Sequence, residues 1–128
     1  MTLKLKYITH NHSACLLAYH FVTTTKKRRP ELEGISLDLF RMALKKYPVT
    51  IHVGEVMADH IHLLVQAPAT FSPAYIAKLI KGCSSRLIGK QLKDGWSGWS
   101  VGYFISTTGG AAVEAVKAYI ENQKVEDC

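Results

Sequence analysis

The spacing of apolar and polar positions divides the chain into seven segments. Leu16-Leu-Ala-Tyr-His-Phe-Val-Thr-Thr24 is dense in aromatic and β-branched residues and predicts a strand, closed by a basic run and Pro30. From about Leu32 to Tyr47 the apolar residues Leu37, Phe40, Leu44 and Tyr47 recur at helical spacing until Pro48, which predicts a helix. Val49 to Val56 and Ile61 to Gln66 are β-prone, and Met57-Ala58-Asp59-His60 between them is short enough for a hairpin. Ser72-Pro73 supplies an N-cap and a first-turn proline for a second helix, in which Ile76, Ile80, Cys83 and Leu87 recur. Gly102-Tyr-Phe-Ile-Ser106 predicts a fourth strand, and Thr107-Thr-Gly-Gly110 leads into a last helix carrying Val113, Val116 and Ile120. The order is βαββαβ plus a C-terminal helix. This predicts an α+β, ferredoxin-like or RRM-like antiparallel sheet with two helices on one face. Residues 1–14 are polar and are expected to form an irregular tail, leaving 15–128 as a single domain.

The third predicted strand carries the chemistry. Side chains alternate along a strand, so His60 and His62 share one face while Ile61 and Leu63 share the other. Two imidazoles on one side make half a metal site, although ordinary hydrogen-bonded histidines are the commoner meaning of such a pair. In the last helix Tyr119 and Gln123 lie four residues apart, which puts a phenol and a carboxamide on one face. Without the histidines Tyr119 reads as a core aromatic; with them the set suggests phosphate chemistry. Gly109-Gly110 before that helix could serve as a hinge. Asp59 is placed either to orient an imidazole N–H or to cap the turn, with capping the favoured role. His10 and His12 lie in the expected tail, where nothing fixes ligand geometry, and His20 and His52 read as ordinary strand histidines. Trp96 and Trp99 read as loop anchors rather than base-stacking platforms.

Composition narrows the partners. The chain carries 16 Lys and Arg against 10 Asp and Glu, a net charge of +6, and the excess is clustered. Lys26, Lys27, Arg28 and Arg29 form one block, and Lys78, Lys81, Arg86 and Lys90 a second along the second predicted helix. Such clusters suit a polyanion, because each neutralised phosphate releases counterions; a solvated basic face is the plain alternative. No apolar run approaches the ~20 residues that cross a bilayer, and no leader peptide is evident, so a cytoplasmic location is expected. Cys15, Cys83 and Cys128 are widely separated and predict free thiols rather than a disulfide framework or a zinc knuckle. No phosphate-cradling glycine loop is present, so no nucleotide cofactor is expected.

These residues resemble a family, the single-tyrosine HUH transposases of the insertion-sequence 200/605 group. The resemblance runs from about Tyr19 to Gln123. It rests on Tyr19-His-Phe-Val with Lys27-Arg-Arg-Pro30, on Val56-Met-Ala-Asp-His-Ile-His-Leu-Leu-Val65, on Lys78-Leu-Ile-Lys-Gly-Cys-Ser-Ser-Arg86, on Trp99 with Tyr103-Phe104, and on Tyr119-Ile-Glu-Asn-Gln123. It implies that His60 and His62 are the paired metal ligands, Gln123 the third protein ligand and Tyr119 the nucleophile. It further implies Mg2+ or Mn2+ as cofactor, and single-stranded DNA with hairpin ends as substrate. The reaction would pass through a 5′-phosphotyrosine intermediate, and the protein would be a homodimer. The two basic clusters would then grip the hairpin backbone. Ala58 stands where the family usually has proline, as does Val101-Gly102, and both departures concern loop rigidity.

Two other functions remain open on sequence. A host relative that cuts repeated palindromic DNA would use the same four residues. A non-catalytic RRM-like nucleic-acid-binding module would need aromatic residues on the exposed sheet face and would not depend on Tyr119.

Overall fold

The computed structural model describes residues 8–10, 13–15 and 17–107. Its centre is a four-stranded antiparallel sheet built from β3 (Ala18–Thr24), β4 (Thr50–Val56), β5 (His60–Gln66) and β6 (Phe104–Thr107), in the order β4-β5-β3-β6. Two helices join these strands, α1 (Leu37–Ala43) and α2 (Pro73–Leu92). β3 and β4 both run antiparallel to β5, which lies between them, so β3-α1-β4 is a split βαβ unit. β5-α2-β6 is its interlocked counterpart around β3. This is the ferredoxin-like arrangement that the order of elements predicts. Ahead of it, β1 (Ile8–His10) and β2 (Ser13–Cys15) pair as a small antiparallel ladder. The irregular chain expected at residues 1–14 is therefore paired backbone in this stretch; six residues of mixed polarity carried too little alternation to reveal it.

The central strands put their two faces to different uses. Tyr19, Phe21, Ile61, Leu63 and Val65 point to one side and join Phe40 and Leu44 of the α1 region with Ile76, Ile80 and Ile88 of α2 in one buried cluster. Burying an aliphatic or aromatic side chain of this kind contributes about 1.5–3 kcal/mol. Both helices thus cover a single face. The histidines of β5 occupy the opposite face.

The first helix is shorter than its apolar spacing suggests. Residues 31–34 form a turn in which Gly34 takes φ +83°, and Ser36 is extended, so the helix begins only at Leu37. Beyond Ala43, Lys45 N–H bonds to Met42 O and Tyr47 N–H to Leu44 O, which tightens the chain into turns before Pro48. The start of α2 is as predicted: the Ser72 hydroxyl accepts from Tyr75 N–H at 3.1 Å and Pro73 occupies the first turn. The tyrosine-bearing helix expected after Gly109-Gly110 lies outside the described residues. Among the described residues no helix is long and apolar enough to cross a membrane.

Candidate metal and DNA site

Register fixes the composition of the site face. Val22 pairs with His62, Thr24 with His60, and Glu55 of β4 lies across from His62 on its other side. His60 and His62 therefore share a face, as alternation predicts, with ring centroids 6.2 Å apart and planes inclined by 23°. His60 is buried at its strand end, whereas His62 is half-buried.

The two imidazoles are held differently. The Asp59 carboxylate accepts from His60 Nδ1 at 2.8 Å through Oδ1. Its Oδ2 accepts from Arg28 Nε at 3.0 Å and lies 3.0 Å from Nη2. With its proton on Nδ1, His60 presents Nε2 as an unprotonated ligand nitrogen, an arrangement common behind metal-bound histidine. Asp59 thus orients the imidazole, and the capping role favoured from sequence is not the one its carboxylate takes. Burial pushes the Asp59 carboxyl up, but the His60 hydrogen bond and the Arg28 charge outweigh it and hold the group below its ordinary range. Burial lowers the His60 pKa despite the Asp59 bond and charge, which oppose it, so the ring is neutral at pH 7. His62 lies 3.5 Å from the Glu55 carboxylate across the strand, a long contact.

Whether this pair fits one divalent ion is a matter of reach. An ion about 2.1 Å from a nitrogen of each ring lies roughly 3 Å from each centroid. Rings 6.2 Å apart are at the outer limit of that span. The pair fits as half a site. Among the described residues no cluster of three His, Cys, Asp or Glu side chains converges. Gln123 and the nucleophile candidate Tyr119 lie outside the described residues.

The basic run is divided by its backbone. Lys26–Arg28 form a 3-10 turn in which Lys27 and Arg28 take φ values of 54° and 53°. Two consecutive left-handed non-glycine residues cost about 1–2 kcal/mol each. The twist turns Arg28 inward to Asp59, with its side chain only 9% exposed, and leaves Lys26 and Lys27 outward. Arg29 donates to Ser97 Oγ at 2.7 Å, and Ser97 is in turn fixed by Glu31. Along α2 the second cluster is likewise split. Lys81 donates to the carbonyls of Ser100, Val101 and Gly102 at 2.7, 3.1 and 3.2 Å and so fastens the loop before β6. Burial lowers its pKa. Arg86 and Lys90 line grooves between the α1 region and α2, and Lys78 is exposed.

The remaining aromatic and imidazole side chains behave as anchors. Trp99 is buried against Phe40 and donates to Ser84, while Trp96 packs edge-on against Trp99 and donates to Ser85. His52, at a bulge in β4, bonds to Gln66 at 2.8 Å. His20 lies on the site face, and burial, followed by the neighbouring His62, lowers its pKa. Sequence reasoning missed the inward role of Arg28, because nothing in a run of four cations marks one as different from the others.

Comparison with known proteins places this chain in a family. The profile described as "Transposase IS200 like" matches residues 13–123. The chain is 30% identical over 132 residues to the transposase for insertion sequence element IS200 of Salmonella typhimurium, covering 95% of this chain and 85% of that protein. It is 32% identical over 118 residues to the ISDra2 transposase TnpA of Deinococcus radiodurans, covering 84% of each. A crystal structure assigned to a transposase of Deinococcus radiodurans superposes with a TM-score of 0.75 at 25% identity, over 91% of this chain and 98% of that one. A REP-associated tyrosine transposase bound to a REP hairpin shares the fold, with a TM-score of 0.53 at 16% identity over 86% of this chain and 63% of that one. The protein belongs to the IS200-like transposases, a family whose activity is DNA cleavage and strand transfer.

Proposed function

We propose that this transposase cuts and rejoins single-stranded DNA at the ends of an insertion sequence, with Tyr119 as nucleophile and His60, His62 and Gln123 holding Mg2+ or Mn2+. The observation that carries the reading is the orientation of His60. Its Nδ1 is taken by Asp59, which leaves Nε2 to a ligand on the face shared with His62. When bound, the ion acts as a Lewis acid on the scissile phosphate and offsets charge in the transition state. Two neutral imidazoles and a neutral carboxamide leave its charge intact. Imidazole ligands favour Mn2+ over Mg2+ intrinsically.

The Tyr119 oxygen gives up its phenolic proton to a base and forms a bond to phosphorus as the P–O3′ bond breaks. The electron pair leaves with the 3′ oxygen, which takes up a proton, and the 5′-phosphate stays on the tyrosine. Because the phosphodiester's energy is kept in that linkage, rejoining needs no nucleotide cofactor. Lys26, Lys27 and Lys78 are exposed and suited to a DNA backbone, and Arg29 is exposed beside them. Hairpin ends as the substrate are supported by the hairpin in the structure of the tyrosine transposase that shares this fold. A homodimer working in the cytoplasm completes the reading. The rival binding module is not favoured: the described positions of the site face include His20, Val22, Thr24, Glu55, His60, His62, Leu64 and Ser106, with Phe104 as an aromatic at the β6 edge.

The test is incubation with Mn2+ or Mg2+ and single-stranded oligonucleotides from both element ends, followed by denaturing electrophoresis. A denaturant-resistant protein–DNA adduct is expected on single strands. It should be absent from duplexes, from Tyr119→Phe and from His60→Ala. Binding without cleavage under every metal would contradict the reading.

A further inference from the structure

Arg28 belongs to a basic run that sequence assigns to DNA, yet its guanidinium is turned away from solvent. Nε and Nη2 both lie 3.0 Å from one oxygen of Asp59, and the other oxygen of Asp59 lies 2.8 Å from His60 Nδ1. A carboxylate bound only to His60 can rotate about its side-chain torsions. With Oδ2 fixed by two guanidinium nitrogens, its plane is set and Oδ1 stays aimed at the imidazole. The backbones are joined at the same place: Thr25 N–H donates to Asp59 O at 2.9 Å, Thr25 Oγ1 donates to Asp59 O at 3.2 Å, and Leu32 N–H donates to Ala58 O at 2.9 Å. The left-handed conformation of Lys27 and Arg28 is what brings the guanidinium inward, and strained backbone of this kind persists where surrounding structure demands it.

We propose that Arg28 is a positioning residue for the metal site. Through Asp59 it holds His60 in the Nδ1–H tautomer with Nε2 presented, and it makes the turn bearing Lys26 and Lys27 one rigid unit with the ligand. The proposal rests on the reading of His60 as a metal ligand. It assigns a second task to the basic run: DNA contact at Lys26 and Lys27 and ligand geometry at His60 are set by the same turn.

The test uses the full chain labelled with 15N at histidine. Ring-nitrogen NMR on the metal-free protein reads the His60 tautomer, and Mn2+ titration followed by electron paramagnetic resonance reads affinity. The proteins compared are wild type, Arg28→Met, Arg28→Lys, Asp59→Asn and Lys27→Met, with thermal melting to show that each is folded. Arg28→Met should convert a single Nδ1–H form into a mixture of tautomers and weaken Mn2+ binding about tenfold, the effect typical of a lost partner behind a metal ligand. Arg28→Lys should fall between it and wild type, Asp59→Asn should also lose the tautomer preference, and Lys27→Met should change neither readout. Should Arg28→Met prove unfolded, Arg28→Lys and Asp59→Asn carry the comparison. A wild-type tautomer and Mn2+ affinity in the folded Arg28 variants would overturn the proposal, even if DNA cleavage were lost. Wild-type protein that binds no Mn2+ would overturn the ligand reading instead, while the tautomers, read without metal, still decide what Arg28 does to His60.

Discussion

Gly54 faces Leu63 across the β4–β5 ladder, and the strands approach so closely there that the position has no room for a side chain. A Cβ at residue 54 would lie 2.6 Å from Leu63 Cδ2, 2.9 Å from the carbonyl oxygen of His62 and 3.3 Å from Leu37 Cδ1. The leucine methyl groups can yield only into a filled core, and the carbonyl belongs to the backbone of the strand that carries both histidines. Gly54→Ala must therefore push β4 off β5 at His62. Overpacking of this kind costs about 1–3 kcal/mol. At roughly 4 °C per kcal/mol for a domain of this size, the melting temperature should fall by ~4–12 °C. Gly82 in α2 supplies the contrast, because nothing lies within 4 Å of a Cβ built there. Gly82→Ala should raise stability by ~0.5–1 kcal/mol, the ordinary gain for alanine over glycine inside a helix. The assay is thermal denaturation by circular dichroism of both variants, with Mn2+ titration of Gly54→Ala. A Gly54→Ala protein that melts with wild type and binds metal equally well would refute the steric argument.

Acid should destabilise the fold in two windows. The folded-state pKa of His20 and of His60 lies below the ordinary 6.5, so the unfolded chain takes up more protons and stability falls as pH drops through about 6.5. Asp59 lies below its ordinary 3.8, so what it contributes is present above that value and lost as pH falls through its folded pKa. A melting temperature in chelator that stays flat or rises from pH 8 to pH 5 would contradict the first window, and His20→Gln should shallow it. Lys81→Met leaves three loop carbonyls without their ammonium and should cost about 1–3 kcal/mol in urea denaturation. It should leave the salt dependence of single-strand binding unchanged, whereas Lys26→Ala or Lys27→Ala should each reduce that slope by roughly one contact's share. Trp99→Ala should destabilise by about 3–5 kcal/mol, because it empties a core position and removes the donor to Ser84.

What could be read from the chain followed the strength of its local periodicity. Alternation made β5 and its same-face histidines legible, and Ser72-Pro73 marked the start of α2, because both signals act within a few residues. The first helix was over-read at both ends: it was expected from about Leu32 to Tyr47, yet Gly34 and the turns after Ala43 bend the chain away from a helix there. Long-range choices were not legible. Asp59 meets a residue 31 positions away, Lys81 meets a loop about 20 positions away, and neither sequence neighbourhood says so. Charge clustering located the cations without separating those facing solvent from those holding structure.

The most direct test of the central claim is to map the covalent bond itself. After reaction of the full chain with single-stranded DNA from an element end and Mn2+, nuclease and trypsin digestion should yield the peptide Ala118-Tyr-Ile-Glu-Asn-Gln-Lys124 carrying a nucleotide 5′-phosphate on Tyr119. Mass spectrometry that finds the nucleotide on another residue, or cleaved DNA with no protein-linked nucleotide at all, would contradict the account.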